Sequence, residues 1–120
     1  MHASLNSLAA LPGNEALPHG TVRLGPAAAD AGQGSERHAM AGQGVFDQIL
    51  SSPFVTSASR VFVSLAEIDP NGDRKPFMGA APLKVYNVVP KDDHTVHLRI
   101  DIDWPEELAV VANFFYVNES

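Results

Sequence analysis

The chain contains no cysteine. A disulfide framework, a thiolate zinc site and a cysteine nucleophile are thereby excluded, and no thiol marks a redox compartment. Positive charge is also scarce: eight Lys and Arg stand against fourteen Asp and Glu, a net charge of −6 over 120 residues. Nucleic acid is not an expected partner, because phosphate binding needs a clustered basic surface. Attraction to anionic membranes is disfavoured on the same ground. No apolar run approaches the length of a spanning helix, so no membrane insertion is expected. No basic residues precede an apolar stretch at the N-terminus. A signal peptide is therefore not expected, export would need a signal-independent route, and the compartment stays open. No internal repeat is present. The length suits one domain, burying roughly two-thirds of its unfolded surface around one modest core.

Residues 1–43 are rich in Ala, Gly and Ser, and Pro12, Pro18 and Pro26 break any long element. Ser4 to Ala10 suits a short helical turn. Thr21-Val22-Arg23-Leu24, bracketed by Gly20 and Gly25, reads as a short strand, and Ala27 to Gly44 as a surface loop. Residues 1–19 are thus an N-terminal arm ahead of a domain spanning 20–120, and a neighbouring subunit is one surface on which such an arm orders.

From residue 44 the hydrophobic period is two. Gly44 to Leu50, Arg60 to Ile68, Phe77 to Val89, Thr95 to Trp104 and Leu108 to Val117 read as strands. Pro82 interrupts the third, which implies a bulge or a sheet edge. In Thr95 to Trp104 the residues Val96, Leu98, Ile100 and Ile102 face one way, and His97, Arg99, Asp101 and Asp103 the other. Leu108 to Val117 is apolar on both faces, so one face covers the core and the other needs a second cover. Asp69-Pro70-Asn71-Gly72-Asp73 is a turn, with Pro presetting φ and Asn-Gly accepting positive φ. The fold class that follows is all-β: an antiparallel sandwich of five or six strands.

Three stretches resemble the H-type lectin family. The first is Val45-Phe46 with Ser52-Pro53-Phe54 and then Arg60 to Asp69 (RVFVSLAEID). The second is Tyr86-Asn87-Val88-Val89-Pro90. The third is Ile102-Asp103-Trp104 followed by Val110 to Asn118 (VVANFFYVN). Gly20 and Gly25 match the spacing of a glycine pair at the family's first strand. The likeness spans about residues 20–118. It implies a six-stranded β-sandwich that forms trimers, binds galactose-type sugars, chiefly N-acetylgalactosamine, and uses no cofactor. Trp104 matches the strand-end Trp whose face meets the sugar, a surface suited to the C–H side of a pyranose. Lys84 falls at the family's basic position, Gly25 at its second glycine, and Asp103 beside the Trp. Trp104, Lys84, Gly25 and Asp103 are therefore the candidate carbohydrate-binding residues. The chain departs from the pattern at three positions: Ala27 replaces a carboxylate, Val110 a Tyr, and Pro105 a polar residue. A fold inherited without galactose specificity is consistent with those losses.

Trp104 has three readings: a core cap at a strand end, a stacking platform, or a subunit contact. Asp69, Asn71 and Asp73 have the spacing that begins a calcium loop, but Ala80 stands where the twelfth-position Glu belongs. His94 and His97, three apart on a strand, point to opposite faces. Glu106 and Glu107 are adjacent and diverge, so they do not form an acid and base pair. With no nucleophile elbow, phosphate loop or metal signature, an enzyme is not expected. Two functions remain: glycan recognition by an oligomeric lectin, or a structural module of a tail, secretion or adhesion particle that trimerises without a sugar site.

Overall fold

Strands form where a two-residue period carries one row of side chains out of water, and the C-terminal two-thirds of the chain does so nearly without interruption. The computed structural model describes residues 5–119. One short helix, α1 (Leu5–Ala9), precedes ten strands among the described residues. They are β1 (Asn14–Leu17), β2 (Thr21–Leu24), β3 (Ala28–Ala29), β4 (Gln33–Gly42), β5 (Gly44–Ser51), β6 (Arg60–Ile68), β7 (Pro76–Phe77), β8 (Leu83–Pro90), β9 (Thr95–Ile102) and β10 (Leu108–Val117). A seven-stranded sheet runs β1-β2-β4-β10-β6-β7, with β3 also paired to β4, and a three-stranded sheet runs β5-β9-β8. All pairings are antiparallel. The protein is an all-β, sandwich-like fold.

The main core lies between the sheets. Val96, Leu98, Ile100 and Ile102 of β9 point into it, as their alternation requires, and meet Val110, Ala112, Phe114 and Tyr116 of β10. The third candidate strand resolves into β7 and β8. Prolines at 76 and 82 flank the gap between them, β8 forms the edge of the small sheet, and its register slips at Tyr86. The turn after β6 is held as its residues suggest: Asp69 Oδ1 accepts from Asn71 N at 2.9 Å, and Gly72 N donates to Asp69 O at 3.3 Å.

One expectation for the first 43 residues is corrected. Ala27 to Gly44 is not a surface loop: it contains β3 and β4, and β4 pairs with β10 along ten residues. Its burial alternates while its hydrophobicity does not, because Gly34, Glu36, His38 and Met40 are the inward row. Gly34 is there for close approach rather than for a turn. A Cβ on it would lie 2.7 Å from both Ala29 Cα and Tyr116 Oη, and that hydroxyl donates to Asp30 O at 2.6 Å. The described part of the arm packs on the rest of its own chain. β1 pairs with β2 in register Asn14↔Leu24 to Leu17↔Thr21. Leu8 of α1 is fully buried in a second apolar cluster with Val22, Leu24, Ala39, Ile68 and Val111, on the outer face of the large sheet. Part of the second cover that β10 needs therefore comes from α1. Ser4, at the start of the expected helical turn, lies outside the described residues.

The inward row of β4 carries a buried ion pair. Glu36 Oε1 accepts from Arg23 Nε at 3.0 Å and lies 3.3 Å from His38 Nε2, with the Glu36 and His38 side chains fully enclosed. The His38 ring meets Phe114 edge to face. Burial alone would raise the pKa of Glu36. The His38 ring and Ser52 hydroxyl, followed by the charges of His38 and Arg23, outweigh burial and hold the carboxyl below its ordinary value. Ser52 Oγ stands beside that carboxylate without completing a well-formed hydrogen bond.

Candidate functional site

At one end of the sandwich, Ile102 closes β9 between Gly44 of β5 and Leu83 of β8. The backbone then turns sharply. Trp104 N donates to Ile102 O at 2.8 Å, a three-residue turn centred on Asp103, and Asp103 N donates to Pro82 O at 3.0 Å. This turn takes Trp104 out of phase with β9. Trp104 belongs to neither apolar cluster and keeps 38% of its surface in water. The indole is thus not enclosed within the core. Pro105, which has no N–H to continue a ladder, and the exposed Glu106 and Glu107 follow it around the rim.

Lys84 and Asp103 share this end of the small sheet with Trp104. Lys84 follows Pro82 by two residues, and Pro82 is the residue that holds Asp103. Lys84 is not a free cation: its Nζ lies 3.9 Å from Asp101 Oδ2, and Tyr86 Oη makes a long 3.5 Å contact with the same oxygen. A hollow of about 450 Å3 opens alongside, lined by Leu65, Phe77, Met78, Ala81, Pro82 and Leu83. Pro82, whose carbonyl anchors Asp103, is on its wall, but Trp104 does not line it. Gly25 is not part of this group. It ends β2 in the other sheet, where its N–H donates to Asn14 Oδ1 at 3.0 Å, and it lines a separate hollow.

Asp101 and Tyr86 were missed as site residues. Read alone, Asp101 is one more polar residue on a solvated strand face. Its pairing with Lys84 follows from cross-strand register, which the bulge at Tyr86 hides from a count along the chain. Farther along the same face Arg99 grips Asp47 with two bonds, at 2.8 and 3.1 Å. The Arg99 guanidinium lowers the Asp47 pKa, chiefly by hydrogen bonding, and the Asp47 carboxylate raises that of Arg99.

Three of the other titratable candidates, Asp69, Asp73 and His94, serve the backbone. Asp69 and Asp73 accept from the main-chain N–H of Asn71 and Lys75, at 2.9 and 3.0 Å, as turn residues do. His94, at φ 65°, places Nδ1 2.8 Å from Val55 O and helps close the opposite end of the sandwich. Compared with protein-family models, curated proteins and solved structures, the chain matches none.

Proposed function

We propose that this protein is a non-catalytic glycan-binding module whose sugar stacks on Trp104. The observation that carries this reading is that the lone tryptophan keeps 38% of its surface in water at the rim of the sandwich. An indole left partly in water is costly when a core is available, because burying apolar surface stabilises a fold by roughly 25 cal/mol per Å2. This one follows a backbone turn at the rim, at the end of the small sheet that also carries Asp103 and the Lys84–Asp101 pair. A flat apolar surface flanked by acceptors and a cation suits a pyranose, which presents a C–H face and a ring of hydroxyls. One such shallow site binds weakly, and repetition of it on an oligomer, a trimer in this proposal, raises avidity without new contacts. The test is titration with galactose, N-acetylgalactosamine and a broad glycan array. The proposal expects at least one glycan to shift Trp104 fluorescence and Trp104→Ala to weaken that binding about tenfold or more, about 1.4 kcal/mol. Silence across the array removes the proposal.

One observation favours the assembly reading instead. Phe62 and Phe115 are Cα partners across β6 and β10 on the outer face of the large sheet, and 62% and 41% of their surfaces are exposed. The cluster under α1 does not include them. A paired aromatic surface of this kind fits contact between subunits, with or without a sugar.

A further inference from the structure

The few cations of this acidic chain are unevenly used. Of the eight Lys and Arg, five reach a carboxylate: Arg23, Arg60, Lys75, Lys84 and Arg99. Arg37, Arg74 and Lys91 reach none among the described residues. Two of those three, Arg37 and Arg74, line one hollow of about 270 Å3, and Lys75 lines it with them. The only carboxylate on its wall is Asp73, whose Oδ1 is occupied by Lys75 N at 3.0 Å and whose Oδ2 is 3.9 Å from Lys75 Nζ. Three cations against one engaged carboxylate make this hollow positive, in a protein whose net charge is −6.

The hollow is assembled from four segments far apart in the chain. Pro12 and Asn14 come from the start of β1, Leu24 and Gly25 from the end of β2, Arg37 from β4, and residues 73–76 from the β6–β7 loop. Arg37 is positioned by a hydrogen bond from its Nε to Asn113 Oδ1 at 3.2 Å, directly across the β4–β10 ladder. That bond leaves both terminal nitrogens of the guanidinium unassigned, and they form the fork that matches an oxyanion. Arg74 is half-buried and sits at φ 60°, a left-handed conformation that an L side chain adopts only with strain. Glycine would hold that turn without strain, yet the position carries an arginine.

We propose that this hollow is an oxyanion-binding site, for a carboxylate, sulfate or phosphate group carried by a small ligand, with Arg37 and Arg74 as its principal contacts and Lys75 at its rim. Its volume suits one charged substituent and about one sugar-sized ring, not an extended chain. The site is independent of Trp104, and either one can fail without the other.

The experiment uses the full chain in dilute buffer and three probes: inorganic sulfate, inorganic phosphate and glucuronate, with glucose as the uncharged control. Binding is followed by amide chemical shifts and by calorimetry, and the order of affinities among the probes identifies the preferred group. Saturable binding of at least one probe, with shifts centred on residues 24–25, 37 and 73–76, is expected. Arg37→Gln and Arg74→Gly should each weaken it about tenfold. Arg74→Gly also relieves the left-handed strain, so it should keep or raise the melting temperature while binding falls, which separates a lost site from a lost fold. Arg99→Gln, on the small sheet, should leave binding unchanged. No saturable binding, wild-type affinity in both Arg37→Gln and Arg74→Gly, or an equal loss in Arg99→Gln would overturn the proposal.

Discussion

Glu36 shows how much a single residue can hide. Its carboxylate is enclosed between the sheets and is kept ionised by Arg23, His38 and Ser52. Its folded pKa lies below its ordinary value of 4.5, so its contribution to stability is whole above that value and is lost as pH falls through the folded one. Denaturant midpoints should therefore fall on acidification below about pH 4.5, and Glu36→Gln should remove that part of the fall. At neutral pH the same change leaves Arg23 with only its exposed partner Glu15, 2.7 Å away, and should cost about 1–3 kcal/mol, measured by urea unfolding. None of this was legible from the sequence, where Glu36 sits in a glycine- and alanine-rich stretch and nothing shows that Arg23 lies across from it. Trp104 was half legible. Its place at a strand end could be read, but its exposure could not, because a turn at Asp103 ends the alternation just before it.

Elements were legible where both burial and hydrophobicity alternate. β2, β6 and β10 begin and end where the pattern places them, and β9 stops two residues early because its last turn is already closing on Pro82. β4 was invisible for the opposite reason: its inward row is Gly, Glu, His and Met, so the burial period has no apolar signature. α1 has only five residues, too few to persist alone in water, and its place depends on packing. Leu8 supplies that packing against Val22, Ala39 and Val111. Leu8→Ala should destabilise the protein by about 2–3 kcal/mol. It should also raise hydrogen exchange across β1 and β2 before the β9–β10 core is affected. Uniform loss of protection in all strands would show that α1 and the sandwich unfold as one unit.

At the scale of the whole molecule, two surfaces carry the account. The outer face of the large sheet is covered by α1 over one half and leaves Phe62 and Phe115 open over the other. If copies of the chain join there, Phe62→Ser and Phe115→Ser should each lower the sedimenting mass at micromolar concentration while the fold persists; an unchanged mass would put the contact elsewhere. The rim around Trp104 is the other surface, and its exposure is the claim on which glycan recognition rests. Because the chain has one tryptophan, its emission reports that site alone. The most direct measurement is acrylamide quenching of the native protein with and without glycan. The account predicts a red-shifted, readily quenched indole that a bound sugar shields. A blue-shifted indole that acrylamide cannot reach in the native protein would contradict it.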